Sequence, residues 1–368
     1  MNAAKDCTLQ EKLLRCAMAL ILAAGALLAS VAASPAYAAP STVDVSIGGK
    51  IPYGGFATTW MSADGNIAYC AEPSSPTPAP GSYSTSPVPS GDVTAAIWYS
   101  FGSPGFDASM FPGSWYDGGG WDDAKYAAAS HVLIAYAYSG SESAAVHGTS
   151  AEFASWAKSE LIGGTFAKMK AGAGKVSAGF EAFCVRTGGG SQTLVSFSWS
   201  TGGVKVAKTD SEAGAEPQGD ASLDGASFSV VNETGRYVLV GGKYYADGEV
   251  CATIKTAPED GSHVAATGAD ALPAGNYRIV ESGAPEGYDA SDAAVTFTVK
   301  ADEVRDLTGD PVTDEVFRGG VQVTKSDKEL QASEALAGSG DQGGGLASTR
   351  PRRDRVHRHE PLGAQGPR

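Results

Sequence analysis

The chain is poor in the residues that build metal and redox centres. Five His and five Cys are spread over 368 residues, with no His-Glu-x-x-His and no Cys-x-x-Cys, so a catalytic zinc site is not supported and no metal or cofactor is expected. Charged residues make up only 18%, below the roughly 25% of an average soluble protein. Basic residues are the minority, Lys+Arg 27 against Asp+Glu 41, for a formal net charge of −14. A surface this acidic repels phosphate backbones and anionic headgroups, which argues against nucleic acid as a partner. Cysteine is too scarce for a disulfide-stapled scaffold. Glycine is abundant instead, 48 residues, which points to turns and short strands.

The first forty residues carry an address. Lys5, Lys12 and Arg15 precede an apolar run from Cys16 to Ala33, followed by Ala36-Tyr37-Ala38, a small-x-small site read as signal-peptidase cleavage after Ala38. Residues 1–38 are thus a signal peptide, and the mature chain is exported with no membrane segment. An uncleaved anchor is the rival reading, because the run only just reaches the roughly 20 residues that span a bilayer.

The mature chain changes character near residue 203. Residues 39–203 hold all six Trp and mix strands with two helices. The first helix opens at Trp121-Asp122-Asp123, whose carboxylates suit the N-terminal dipole, and Ser139-Gly140 stops it. The second spans Thr149 to Ile162, with Thr149 and Glu152 as a capping box. Residues 72–91 hold six Pro and read as loop or extended polyproline. From Val204 the pattern alternates, as in a small antiparallel sandwich.

A repeat organises the C-terminal part. VKVAKTDSE at 204–212 recurs as VQVTKSDKE at 321–329, so a second copy begins near residue 319. Residues 319–337 start that copy and 338–368 do not continue it. Six of twelve Arg lie between Arg350 and Arg368, and no Lys follows Lys328. The expectation for 338–368 is a disordered tail, or one read in a shifted frame.

Alternation puts Val204, Val206 and Lys208 on one strand face, Tyr277, Ile279 and Glu281 on another, and Val312, Asp314 and Val316 on a third. Three titratable groups are therefore expected in one apolar core. Desolvation raises both carboxyl pKa values and lowers that of the amine, the ground state for forming an amide. The rival is an uncrosslinked buried salt bridge. VKVAKTD, LDGASFSV, LPAGNYRIVESGAPEGY and PVTDEVFRGG together resemble the Cna-B or SpaA (prealbumin-like) repeat of Gram-positive surface adhesins and pilins over residues 204–318. The resemblance implies an Ig-like all-β sandwich with an intramolecular isopeptide bond between Lys208 and Asp314, and Glu281 as proton shuttle. Lys325, the counterpart of Lys208 in the broken repeat, is expected to stay an ordinary lysine.

Ala68-Tyr69-Cys70-Ala71-Glu72-Pro73 and the helix AAASHVLIAY resemble the thioester, or TQXA, domain at the tip of such proteins, over roughly residues 45–203. That resemblance implies a Cys acylated by a Gln and the capture of host nucleophiles. Cys70 matches the Cys. The Thr-Gln-x-Ala position reads Ser130-His131-Val132-Leu133, and His cannot supply an acyl group. Three readings of Cys70 stay open: a thioester with Gln192, the only Gln between the signal and residue 203; a Cys70–His131 reactive pair; or a Cys70–Cys184 disulfide or two buried thiols. The expected whole is an α+β tip domain on an all-β stalk, a non-enzymatic secreted surface adhesin or pilin fragment that meets a host surface or matrix protein and lacks a wall-sorting signal. The alternative is an exported Cys/His enzyme.

Overall fold

The computed structural model describes residues 39–320, 322–326 and 333–335. The signal peptide and the tail beyond residue 335 lie outside these residues, as does the side chain of Lys325.

Six strands close into an antiparallel barrel: β1 (Thr42–Tyr53), β2 (Phe56–Ala63), β3 (Asn66–Cys70), β4 (Gly81–Pro87), β5 (Phe180–Arg186) and β6 (Leu194–Trp199), in the order β1-β2-β3-β6-β5-β4. Period-two alternation divides their side chains. Val43, Val45, Met61, Ala63, Ala68, Cys70, Phe183, Val185 and Leu194 make one buried cluster. Their intervening neighbours Tyr69, Cys184, Val195 and Phe197 join the larger cluster packed on the helices. The proline-rich segment is loop only as far as Pro80. The proline-free stretch from Gly81 to Ser86 has free N–H groups and pairs with β1 and β5 as β4.

The helices are α1 (Gly91–Trp98), α2 (Asp123–Ser139), α3 (Glu142–Ala145), α4 (Ala151–Trp156), a π-helical stretch Ala157–Phe166, and α5 (Ala167–Ala171). Helix α2 starts and stops where the sequence marks it. Asp122 accepts from the Lys125 N–H at 2.9 Å, and Gly140 takes the left-handed C-cap at φ 68°. It is buried around most of its circumference from Ala127 to Ala135 rather than along one stripe. The second cap differs by one residue from the capping-box expectation. Ser150 accepts from Phe153 N–H, while Thr149 Oγ1 donates to the Val146 carbonyl.

Ser200 alone separates β6 from β7 (Thr201–Asp210), the first strand of the second half. There follow β8 (Ser227–Asn232), β9 (Val238–Val240), β10 (Lys243–Tyr245), β11 (Val250–Lys255), β12 (Ala257–Glu259), β13 (Ser262–Ala266), β14 (Leu272–Pro273), β15 (Gly275–Gly283), β16 (Tyr288–Asp289), β17 (Ala294–Val299), β18 (Val304–Asp306) and β19 (Val312–Val316). One sheet runs β11-β8-β15-β17, the other β12-β13-β7-β19-β16, with β14 and β18 also on β7. Val204, Val206, Phe228, Val230, Tyr277, Ile279, Phe297, Val299 and Val312 fill the space between them. The sandwich is not wholly antiparallel. β18 and β19 run parallel to β7, which lays the last strand beside the first. Gly202 permits the close approach there: a Cβ would stand 2.3 Å from the Lys300 carbonyl oxygen.

The described residues as far as Phe317 form one compact unit. Trp98 of α1 stacks on Trp199 at 5.1 Å and donates from Nε1 to the Tyr244 hydroxyl at 3.1 Å. Ala178 N–H donates to the Tyr237 carbonyl at 2.8 Å. The β9–β10 hairpin of the sandwich thus rests on the barrel-and-helix half. By itself, the short segment beyond it pairs Thr324–Ser326 with Ser333–Ala335 as an antiparallel ribbon.

Candidate functional sites

Cys70 ends β3 with its side chain in the barrel interior. Its neighbour on β6 is Leu194, and the chain just before Leu194 brings in Gln192. The proline-rich loop fixes that approach. Gln192 N–H donates to the Pro76 carbonyl at 3.0 Å, Ala71 N–H to the Thr193 carbonyl at 2.9 Å, and Thr193 N–H to Glu72 Oε2 at 2.8 Å. Gln192 is 2% exposed, its side chain lines the same cavity as Cys70, and its Oε1 has no hydrogen-bond partner. Tyr53, Phe56, Thr58, Cys70, His131 and Gln192 line a cavity of about 60 Å³.

His131 on α2 reaches the Cys70 backbone and the Thr58 hydroxyl. The backbone N–H of Cys70 donates to Nδ1 at 3.1 Å, which assigns the ring proton to Nε2. Nε2 stands 3.2 Å from Thr58 Oγ1, and that hydroxyl is 3.4 Å from Cys70 Sγ. The Thr58 hydroxyl thus lies between the imidazole and the sulfur. Burial pushes the Cys70 thiol up to about 11 against the hydrogen bonds of Thr58 and Gln192. Burial also pulls His131 down to about 3 against a backbone hydrogen bond at Thr59. A thiolate–imidazolium pair is thus disfavoured on both sides.

The Cys70–Cys184 disulfide is corrected. Both thiols are free. Strand β6 lies between β3 and β5, so two strand spacings, about 10 Å, separate them, beyond the roughly 7 Å that a disulfide bridges. The two side chains also belong to different cores. Cys184 is a buried thiol.

The second site lies in the sandwich. Lys208 on β7 contacts Glu281 Oε2 at 2.8 Å and also Asp314 Oδ1, and all three side chains are fully buried. Lys208 and Asp314 come from adjacent parallel strands of one sheet, and Glu281 from β15 of the facing sheet. The Lys208 ammonium lies 5.9 Å from the centre of the Phe228 ring. Burial raises the Glu281 carboxyl above its ordinary range, opposed by Lys208, and a hydrogen bond with Asp314 adds to the rise. Glu281 Oε1 and Asp314 Oδ2 have no hydrogen-bond partner. One proton on the pair of acids leaves the buried cluster neutral overall. Moving a second proton from Nζ to Glu281 produces the neutral amine and carboxylic acid that condense to an amide.

Asp210, two residues beyond Lys208, belongs to the frame of this site. Burial works to raise it, but the Ala213 and Glu212 N–H groups, Gln218 Nε2 and the Tyr288 hydroxyl outweigh that and hold it at about 2. This carboxylate clamps the turn after β7.

Alternation marks Lys208, Glu281 and Asp314 as inward, and they are buried; two contributors were not among the candidates. Thr58 is one Thr in the run Ala57-Thr58-Thr59, and alternation alone marks it as inward. Ser291 donates its N–H to both acids and leaves no side-chain signature at all. For the first, the structure leads to a specific expectation. Thr58→Val keeps the shape but removes the hydroxyl beside the sulfur, and a hydrogen bond to a developing charge is worth about 1.5–3 kcal/mol. If Cys70 leaves as a thiolate, its departure slows by about ten- to a hundredfold in stopped-flow thiol release, and an unchanged rate removes Thr58 from the chemistry.

Residues 42–163 match the family model of a thioester domain, a span that includes Cys70 and His131 and stops short of Gln192. Residues 202–311 match that of SpaA, a prealbumin-like fold domain. No curated protein matches the chain. Among solved structures, the Bacillus anthracis TIE protein is 14% identical over 78% of this chain and 68% of that chain, with a TM-score of 0.29. BcpA, the major pilin subunit of Bacillus cereus, is 17% identical over 38% of each chain at 0.23. The shaft pilin SpaA of Lactobacillus rhamnosus GG is 19% identical over 34% of this chain and 48% of that one at 0.22. The chain therefore spans less than half of either pilin, and at these TM-scores the superpositions carry no argument. On the two family matches, the chain joins a thioester-type domain to a SpaA-type prealbumin-like domain.

Proposed function

We propose that the exported chain is a surface adhesin whose barrel domain captures a nucleophile through a Cys70–Gln192 thioester, mounted on a sandwich stapled by a Lys208–Asp314 isopeptide bond. One observation carries the reading: a buried thiol at the end of β3 and a buried amide from the segment before β6 line one small cavity, with the Thr58 hydroxyl 3.4 Å from the sulfur. Attack of Cys70 Sγ on Gln192 Cδ forms the S–C bond and releases ammonia. A primary amine then takes the acyl group, so Gln192 becomes a substituted amide and the Cys70 thiol is restored. The Lys208, Glu281 and Asp314 cluster supports the second bond, formed with loss of water. The partner is a protein on a host surface or matrix offering an amine. Neither bond requires turnover, in keeping with a binding protein rather than an enzyme.

Intact mass of the purified mature chain tests both at once. The expected deficit is one ammonia and one water. A chain at full calculated mass overturns the proposal, and peptide mapping assigns either deficit to its pair.

A further inference from the structure

The loop between β16 and β17 brings one backbone group to the amide-forming cluster. Ser291 N–H donates to Asp314 Oδ1 at 3.0 Å and to Glu281 Oε2 at 3.1 Å. Its hydroxyl points elsewhere in function, accepting from Ala293 N–H at 3.1 Å. On the other side, Asp314 Oδ2 has no such donor. The two carboxyl oxygens of Asp314 are therefore inequivalent before any reaction.

We infer that the Ser291 backbone N–H is the oxyanion donor of the condensation, fixing Oδ1 as the oxygen kept in the amide and Oδ2 as the oxygen lost. This rests on the isopeptide reading above. Lys208 Nζ, as the neutral amine, adds to Cγ of the Asp314 carboxylic acid, and the electron pair of the C=O bond moves onto Oδ1. There the Ser291 N–H meets the growing charge in a site closed to water, where a fixed donor acts most strongly. Glu281 receives one proton from Nζ and delivers one to Oδ2. The Cγ–Oδ2 bond then breaks, water leaves, and Oδ1 returns to a carbonyl. No other reactant is consumed. The loop, and not only the three conspicuous side chains, belongs to the catalytic apparatus.

The group is invisible to side-chain mutation, and that shapes the test. The full chain is made by cell-free synthesis, and loss of water is followed by timed intact mass. Ser291→Ala keeps the N–H and is the reference against which its loss is read. Ser291→Pro, and an amide-to-ester replacement at position 291 that removes the N–H without a ring, are expected to condense about 10²–10³-fold more slowly, the usual cost of one oxyanion donor. If the proline variant fails to fold, by near-ultraviolet circular dichroism, the ester variant decides. An ester variant condensing at the parent rate overturns the inference while leaving the bond intact. A parent chain that never loses water overturns both, so the two failures are told apart.

Discussion

Cys70→Ala abolishes covalent capture outright, a loss to background rather than a graded fall. Wild-type protein incubated with methylamine is expected to gain one adduct on Gln192 and to expose one newly titratable thiol at Cys70. The variant has no sulfur to hold the acyl group, so Gln192 remains an ordinary primary amide and gives neither signal. Folding survives the change, because the cost of removing one sulfur from a small buried site is modest. Gln192→Ala gives the same null result from the other partner. His131→Ala separates the thioester from a Cys/His enzyme. His131 hydrogen-bonds the Cys70 backbone and Thr58 rather than the sulfur, so its loss slows the reaction without preventing the bond, whereas an enzyme using it as base loses all activity. Mapping by tandem mass spectrometry reads both sites. An unmodified Gln192 in the wild type, with Cys70 fully titratable before any amine is added, sinks the thioester.

The sequence was most informative where one strand face carried both apolar and titratable residues. Lys208 after Val204 and Val206, and Glu281 after Tyr277 and Ile279, have no solvated alternative on an inward face. Their burial therefore follows from alternation alone. The pairing of β19 parallel to β7 does not, because alternation says which way a side chain points and nothing of which strand lies beside it. In the barrel the limit falls elsewhere. Cys70 and Cys184 are both apolar-flanked strand cysteines, and only the order β3-β6-β5 and the in–out phase of each strand separate them. Gln192 is singled out as the only Gln of its region, but its position was hidden for a related reason. It follows Gly188-Gly189-Gly190 in an irregular segment, and its place beside Cys70 depends on backbone hydrogen bonds to Ala71, Glu72 and Pro76 that carry no pattern. Long-range register places these residues, and a local period cannot report it.

Lys208→Ala is expected to cost the sandwich more than any ordinary core substitution, because two losses coincide. Removing one member of a buried ionic cluster leaves the acids unpaired, typically about 3–5 kcal/mol. It also deletes the crosslink between the first and last strands. In the chain-entropy account, a link closing a loop of roughly 100 residues is worth about 4.7 kcal/mol. The two losses do not simply add, since the acids of the variant can take up protons and share one between them. Even the smaller figure lowers the melting temperature by about ten degrees for a unit of this size. Glu281→Gln divides the two effects. It fills nearly the same space and still accepts from Lys208 and Ser291, yet cannot take the Nζ proton, so the chain keeps its full mass with respect to water while the core stays packed. Differential scanning calorimetry should therefore rank wild type above Glu281→Gln, and Glu281→Gln above Lys208→Ala. The gap between the first two then measures the covalent staple itself. Because β7 and β19 lie side by side and parallel, with the bond at Lys208 and Asp314, that gap reports how firmly the first strand of the sandwich is tied to the last. Equal melting of the wild type and Glu281→Gln, with both at full mass, would reduce the cluster to a buried salt bridge and leave the stalk without its staple.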